Sequence, residues 1–511
     1  MKILLISFQK DLDTIGLKYI NSCLLHKGYN SFILYLPDFN LNDKIQIERI
    51  KEFVLSLNPA LVGISLMSVE YNYAKTLTEF IKKTLPIPVI WGGIHPTIAA
   101  DDCLCSCDYV CIGEGEKAML DIAKAVSRKK TLYDINNLAY VVDRKVIRNP
   151  LNPLMDNLDE APYYGHIPKN AFILFGKKIV NLNKKVFRKY DRYGGKFYSI
   201  ITTRGCPFSC TYCCNNVTID LYKTNKIRKR NVPSIIKELE RALAEEAAIE
   251  YINFHDDCFL VGSDEYFSEF CEIYKKKIKK PFIIRSIPIY ITEKKIKFLK
   301  DAGLSWISLG LQSGSDRTCT EIYKRKSLKE DFLKAARVIS DFKVAAFYDV
   351  ILDNPFETEN DLLQTVDTLI KTPKPFYVQF LSLVFYKGTQ IHVRAKTEYP
   401  NLMEDYMRKD YLVLQKNILN TLVRLSAFVN PYIMSRLIYL YRKYPKAIKF
   451  KIILSLVNML NLFFFEPRAY FHVIWLSQYG SFLNTLRVLP IYFKQGIIRY
   501  VNQFKQRCPF F

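Results

Sequence analysis

The sequence predicts an α/β protein in three parts: an open, doubly wound parallel sheet, then a partial (β/α)6 barrel, then a helical C-terminal region. Three observations predict it. Over the first 145 residues, short apolar strands alternate with amphipathic helical stretches. The alternation restarts near residue 197 and yields six strand–helix units. From about residue 396 it gives way to helical periodicity crowded with aromatic and basic side chains. A length of 511 residues suits three or four domains of about 100–200 residues each.

In the first part, segments 3–8, 32–36, 61–66, 89–91 and 109–112 read as strands, and 45–57 and 71–84 as helices. Crossovers of this length join parallel strands, and open α/β sheets bind ligands at the carboxyl ends of their strands. The loops at 7–16, 65–68, 92–97 and 113–116 are therefore the candidate binding loops of a Rossmann-like domain spanning 1–145. Residues 146–195 break the rhythm with Pro153, Asp156, Asp159, Glu160 and Pro162, followed by a basic stretch from Lys184 to Arg192, and read as a linker. The barrel is expected over 196–395, with strands at 198–203, 251–254, 282–285, 306–309, 345–352 and 377–383 and helices such as 234–247 and 330–342. Its active site should lie at the carboxyl ends of those strands. The C-terminal region, 396–511, is basic, aromatic and helical.

Composition narrows the function classes. Hydrophobic residues at 49% and charged residues at 24% exclude wholesale disorder, and 19 Gly without a triplet period excludes a collagenous chain. A net charge of +24 calls for an anionic partner: nucleic acid, a membrane surface or a phosphorylated substrate. Between residues 411 and 511 there are fourteen Lys or Arg against one acid, Glu466, so more than half of the net charge sits in the last fifth of the chain. The apolar start Met1–Phe8 is too short for a secretory signal, and thirteen Cys, an odd number, suit a reducing cytoplasm better than a disulfide framework. No apolar run reaches membrane-spanning length; the best, 452–465, contains Asn458 and Asn461.

The strongest chemical signal is Thr203-Arg204-Gly205-Cys206-Pro207-Phe208-Ser209-Cys210-Thr211-Tyr212-Cys213, a C-x3-C-x2-C run directly after a predicted strand. Three thiolates on a tight loop can hold three irons of a [4Fe–4S] cluster and leave the fourth open to a ligand. This run, with aromatic Tyr212 before the third Cys, resembles the signature of the radical S-adenosylmethionine (SAM) superfamily. The resemblance implies that Cys206, Cys210 and Cys213 hold the cluster, with Cys214 a neighbour. It further implies that SAM chelates the open iron and is cleaved to a 5′-deoxyadenosyl radical by an electron from an external flavodoxin- or ferredoxin-type donor.

Later segments carry the same resemblance. Asn253-Phe254-His255-Asp256-Asp257-Cys258-Phe259 would offer Asp256 to the SAM ammonium, and Arg285 its guanidinium to the SAM carboxylate. Gln312 and Ser313, in Ser308-Leu309-Gly310-Leu311-Gln312-Ser313-Gly314, would lie near the SAM ribose. Asn354, in Asp353-Asn354-Pro355-Phe356-Glu357-Thr358, would lie near the adenine, with Asp353 or Asn354 where the family carries Gly. Tyr386-Lys387-Gly388-Thr389 resembles the family's barrel-closing P-G-T segment, with Lys for Pro.

Beside such a barrel, Trp91-Gly92-Gly93-Ile94-His95-Pro96-Thr97 and Ile112-Gly113-Glu114-Gly115-Glu116 make the first part resemble the cobalamin-binding domain of B12-dependent radical SAM enzymes. That resemblance assigns Ser65, Gly92, Gly93, His95 and Gly113 to the corrin. Asp13 stands where a cobalt-ligating His would be, so no protein imidazole is expected on cobalt. Cys103, Cys105, Cys107 and Cys111 invite a second cluster. Strand alternation instead places Cys107 and Cys111 on one side and Cys103 away from them, which reads as buried small hydrophobes.

The implied activity is methylation of an unactivated carbon of a small, hydrophobic substrate, with methylcobalamin as the methyl donor. The alternative is a radical cyclisation or rearrangement without methyl transfer. An RNA-modifying enzyme resembling the tRNA methylthiotransferases is disfavoured, because those end in a small β-barrel RNA module and this chain ends in apolar helices. Nucleic acid is accordingly not the expected partner. The basic, aromatic C-terminal region suits peripheral attachment to the anionic inner face of the membrane, or a helical cap over the barrel mouth.

Overall fold

The structure is a computed structural model that describes residues 1–403 and 409–478, together with 481, 483, 485, 486 and 489. The chain divides into two compact units: 1–201, 213–249 and 385–409 form the first, and 202–212, 250–384 and 410–511 the second.

The first unit is built on a nine-stranded sheet. Its strands are β1 (Lys2–Ser7), β2 (Asn30–Tyr35), β3 (Leu61–Ser65), β4 (Val89–Gly92), β5 (Tyr109–Cys111), β6 (Leu138–Val142), β7 (Lys145–Arg148), β8 (Ala171–Phe175) and β9 (Lys178–Asn181), in the order β7-β6-β5-β4-β3-β1-β2-β8-β9. Strands β1 to β5 and β8 run parallel, whereas β6, β7 and β9 add antiparallel edges. The parallel strands are mostly apolar along their length, with polar residues such as Lys2, Ser7, Asn30 and Ser65 at their ends, as suits a sheet covered on both faces. One face packs Leu4, Ile6, Val62, Ile64 and Trp91 against Ile50, Val54, Leu77 and Ile81 of the helices Lys44–Leu57 and Tyr71–Thr84. The other packs Ile3, Leu5, Leu61 and Ile90 against Leu17, Leu24, Met119 and Ile122 of Ile15–His26 and Glu116–Ser127. Asp43 starts the first of these helices by accepting hydrogen bonds from the Ile45 and Gln46 amides.

Two expectations are corrected here. The stretch 146–195 is not a plain linker: it supplies β8 and β9, which extend the sheet beyond β2, and Tyr163 and His166 anchor it within the unit. The four cysteines do not divide as alternation suggested. Cys103 and Cys107 share one core face, joined by a Cys107 thiol bond to the Cys103 carbonyl, and Cys111 lies on the other face. The cause is that 100–104 is a helical turn continuing toward Cys107, so period-2 logic does not apply there.

Strand β10 (Phe197–Ile200) falls at the end of the first unit's opening stretch, β11 (Thr203–Arg204) is in the second and β12 (Arg228–Lys229) in the first. The second unit carries the remaining barrel strands, β13 (Tyr251–Phe254), β14 (Phe282–Ser286), β15 (Leu304–Gln312), β16 (Ala345–Leu352) and β17 (Tyr377–Ser382), parallel and in sequential order. Helices Asp264–Lys277, Glu293–Ala302, Lys329–Asp341 and Glu359–Lys371 connect them. Thr358 caps the last of these in a reciprocal box with Asp361.

The C-terminal helices are Ile418–Phe428, Pro431–Lys443, Ile448–Leu460 and Glu466–Ser477; a π turn over Asn461–Phe465 fuses the last two. The fused helix, Ile448–Ser477, has 30 residues and by length and composition is apolar enough to cross a membrane. This corrects the expectation drawn from continuous apolar runs: Asn458, Asn461 and Glu466 interrupt the run in sequence, but Asn461 and Glu466 are buried on the face that meets the protein. Arg487, Lys494, Arg499, Lys505 and Arg507, counted in the basic tail, lie outside the described residues.

Candidate active site

In the first unit, strands β3, β4 and β5 end side by side. Ser65 is in register with Gly92, and the loops that follow carry Gly93 and Gly113. Gly93 has φ +97° and Gly113 has φ +81°, conformations that favour glycine. A Cβ on Gly93 would stand 3.0 Å from the Leu66 carbonyl and 3.1 Å from Ser65 Oγ. Ser65, Gly92, Gly93 and Gly113 are all partly or fully accessible, and place backbone and small side chains at the sheet's ligand-binding end. Small residues there let backbone approach a flat corrin closely.

His95 behaves differently. It is fully buried in Ile94–Ile98, with Nδ1 3.0 Å from Ser68 Oγ and its ring edge-on to Tyr71. Burial lowers its pKa to about 4, which keeps it neutral. Its Nδ1 contact ties two loops together. Asp13, in the loop after β1, accepts a hydrogen bond of 2.8 Å from Ser199 Oγ.

Sequence reading missed what holds the Gly113 loop. Glu114 forms a bidentate pair with Arg228, at 2.8 and 3.1 Å, and accepts from the Met155 amide. The Tyr222 hydroxyl accepts from the Glu114 amide and meets Asn137 Nδ2, and a Cβ on Gly113 would lie 2.1 Å from it. Tyr222 ends the helix Cys214–Tyr222, whose N-cap is Cys213, with the Asn215 amide pointing at Cys213 Sγ. The third cysteine of the motif and the Gly113 loop are thus joined by one nine-residue helix. Asn137, Tyr222 and Arg228 carried no pattern in the sequence, and Glu114 stood in the Gly113 motif without a sign of its partner.

In the second unit, Cys206 and Cys210 occupy the loop after β11, entered through Gly205 at φ +100°. Thr211 anchors this loop to the Ile322 and Tyr323 carbonyls. Tyr212 stacks edge-on against Tyr323, and its hydroxyl lies 3.4 Å from Arg325, a buried cation that also donates to the Gly310 carbonyl. Arg325, which sequence reading also missed, places positive charge near Cys210. Burial pushes the Cys206 thiol up to about 12, so its thiolate needs a compensating cation. Among the described residues no three His, Cys, Asp or Glu side chains already stand together as ligands to one ion. The fit to an iron–sulfur cluster rests on the donor set: three thiols within eight residues on a glycine-entered loop, beside a buried guanidinium.

The other expected SAM contacts lie at the carboxyl ends of β13 to β16. Asp256 is already engaged by the protein. Its buried carboxylate accepts from the Thr202 amide at 2.7 Å, the Thr203 amide at 2.5 Å and Thr202 Oγ1 at 2.7 Å, so it clamps the backbone entering the cysteine loop. Arg285 is partly exposed and bonds His255 on the neighbouring strand end. Gln312 ends β15 at φ +66°, with a buried Oε1 that accepts no hydrogen bond from any described residue, a suitable acceptor for a ligand hydroxyl or amine. Ser313 donates to Glu357, whose pKa burial raises to about 7. Asp353 holds φ +58° and so is the residue in the Gly position; it accepts from Ser382, the Gln415 amide and Asn420. Asn354 is occupied by Tyr323 and the Phe356 amide, and therefore shapes the turn.

The B12 binding domain matches residues 1–123 and the radical SAM superfamily matches residues 200–369. An uncharacterized methyltransferase of Pyrococcus horikoshii is 26% identical over 361 residues, 69% of this chain and 72% of that protein. The anaerobic magnesium-protoporphyrin IX monomethyl ester cyclase of Rubrivivax gelatinosus is 25% identical over 366 residues, 68% of this chain and 60% of that protein. The solved structure of the cobalamin-dependent S-adenosylmethionine radical enzyme OxsB shares the fold, with a TM-score of 0.66 at 15% identity, covering 99% of this chain and 83% of that one. The two matched domains together span more than half of the sequence, and the chain is a radical SAM enzyme of the family that carries a B12-binding domain, whose cofactors are a [4Fe–4S] cluster, SAM and cobalamin.

Proposed function

We propose that this enzyme methylates an unactivated carbon of a small hydrophobic molecule. The observation that carries the reading is the presence of both cofactor domains in one chain, B12-binding at 1–123 and radical SAM at 200–369. When bound, the cluster and SAM supply a hydrogen-abstracting carbon radical, and cobalamin supplies the methyl group. Cys206, Cys210 and Cys213 hold the cluster, Asp256 fixes the backbone that leads into their loop, and Arg325 offsets its negative charge. Arg285 and Gln312 offer SAM a guanidinium and a free acceptor. Ser65, Gly92, Gly93 and Gly113 seat the corrin, with Asp13 at the position a cobalt-ligating His would take. A hydrophobic substrate is supported by the magnesium-protoporphyrin named for one relative. The electron comes from a flavodoxin- or ferredoxin-type donor, and the enzyme works at the inner face of the membrane as a peripheral protein.

A second reading, ring closure without methyl transfer, is favoured by the same relative's being a cyclase. Product stoichiometry separates the two. Anaerobic holoenzyme is given SAM, a reductant and a small-molecule extract, and S-adenosylhomocysteine and 5′-deoxyadenosine are quantified. Methylation consumes one SAM for the methyl group and one for the radical, so both products should rise in about equal amounts. Deoxyadenosine without homocysteine product would replace methylation with cyclisation.

A further inference from the structure

The fused helix Ile448–Ser477 has two apolar faces with different fates. Phe450, Leu454, Leu462, Val473 and Ile474 are buried against the protein. Ile448, Ile452, Leu456, Met459, Phe463 and Phe464 recur at helical spacing on the opposite side and are each more than half exposed. A contiguous apolar stripe of this kind marks an interaction surface. Exposed Arg442, Lys443, Lys446, Lys449 and Lys451 gather at its start, and from residue 411 to residue 465 the sequence has no acid.

The helix is long enough to cross a bilayer, yet its second half is fastened to the barrel. Ser305 Oγ donates 2.7 Å to the Ser477 carbonyl, Tyr251 donates 2.7 Å to Gln478, and Tyr470 packs on Tyr377. A helix held this way can lie on a membrane but cannot thread it. Tyr251, Ser305 and Tyr377 are all at the amino ends of their strands, so the helix covers the barrel end opposite the mouth. This corrects the expectation of a C-terminal helix capping the mouth. The segment that does reach the mouth is 410–420, through Gln415 and Asn420 on Asp353 and Tyr411 on Ser382. At the same closed end, Lys374, Arg468 and His472 line a recess of about 360 Å³ with Phe376, Phe428 and Phe465.

We infer that the exposed stripe of Ile448–Ser477 docks in the plane of an anionic phospholipid bilayer, with the recess of Lys374, Arg468 and His472 receiving a headgroup phosphate, so that the barrel mouth faces away from the membrane. Charge complementarity selects the bilayer: basic residues beside an interfacial apolar helix are the recognised pairing for anionic lipid. The placement deepens the peripheral-attachment reading above, and it can fail while the chemistry stands.

Flotation of the full-length holoenzyme with phosphatidylglycerol-containing vesicles and with phosphatidylcholine vesicles tests it. The wild type should float at least about tenfold better with the anionic vesicles and keep a salt-resistant fraction. The triple change Lys446→Glu, Lys449→Glu, Lys451→Glu should abolish the anionic preference, Leu456→Asp with Phe464→Asp should remove the salt-resistant fraction, and Arg468→Glu should weaken binding to phosphatidylglycerol. Deoxyadenosine formation should be unchanged by vesicles in all of them, because the mouth faces away from the bilayer. Equal flotation with neutral vesicles, or none, overturns the inference. So does a chain dimer dissolved by Leu456→Asp with Phe464→Asp, which would make the stripe a self-association surface. Vesicles that inhibit deoxyadenosine formation would overturn the orientation.

Discussion

Asp256 is a buried acid and Glu357 a half-buried one with an enclosed Oε2, both at the carboxyl end of the barrel sheet, and their surroundings give them different tasks. Asp256 accepts three hydrogen bonds from Thr202 and Thr203, two of them backbone amides that would otherwise be buried unpaired. Removing them with Asp256→Ala should cost about 2–4 kcal/mol and lower reconstituted iron content. Asp256→Asn keeps an acceptor for both amides and should stay close to wild type in melting temperature and iron content. If Asp256 were instead the partner of the SAM ammonium, the Asn variant would melt normally and lose SAM affinity, which equilibrium dialysis would detect. Glu357 titrates at about 7 in the folded chain because burial disfavours its charge. The unfolded chain titrates near 4.5, so between these values the folded chain binds more protons, and stability falls as pH rises through the window. Glu357→Gln lacks this loss. Its stability relative to wild type should therefore improve from pH 5 to pH 8, by on the order of 3 kcal/mol at most. A difference independent of pH would show that Glu357 is ionised throughout.

The helix Cys214–Tyr222 links the last cysteine of the motif to the Gly113 loop, and its fit is tight enough to test by paired substitution. Gly113→Ala meets the Tyr222 hydroxyl and also strains a backbone at φ +81°. Only the first penalty is relieved by Tyr222→Ala. The double variant should thus recover part of the melting temperature lost in Gly113→Ala, leaving about 1–2 kcal/mol of strain. Strict additivity of the two single changes would refute the contact. The helix also shows where sequence reading stops. The helix at Tyr71–Thr84 and the strands at Tyr251–Phe254 and Ala345–Leu352 were legible residue for residue, because hydrophobic period fixes them. The cysteine loop was legible because thiol spacing is its own signature. Tyr222, Asn137 and the Glu114–Arg228 pair were not, since they act through long-range contacts that leave no local pattern. Strands β8 and β9 were hidden by prolines and charges at 153–162 that precede them, and the 30-residue helix by polar residues that turn out to face the protein. Spacing located Asp256 just past β13 but could not show that its carboxylate already holds the Thr202 and Thr203 amides.

For the molecule as a whole, a charge of +24 suits nucleic acid, a membrane surface or a phosphorylated substrate, and its distribution favours the membrane surface: the exposed basic cluster at 442–451 adjoins an apolar helix face. The chemistry depends on the open-iron cluster above all else, and every other assignment at the barrel mouth is organised around it. The most direct test is anaerobic reconstitution with iron and sulfide, followed by assay of bound iron and of 5′-deoxyadenosine released from SAM. The wild type and Cys214→Ala should each bind about four irons and release deoxyadenosine, and the triple change Cys206→Ala, Cys210→Ala, Cys213→Ala should do neither. A triple variant that keeps its full iron content and still cleaves SAM would contradict the account.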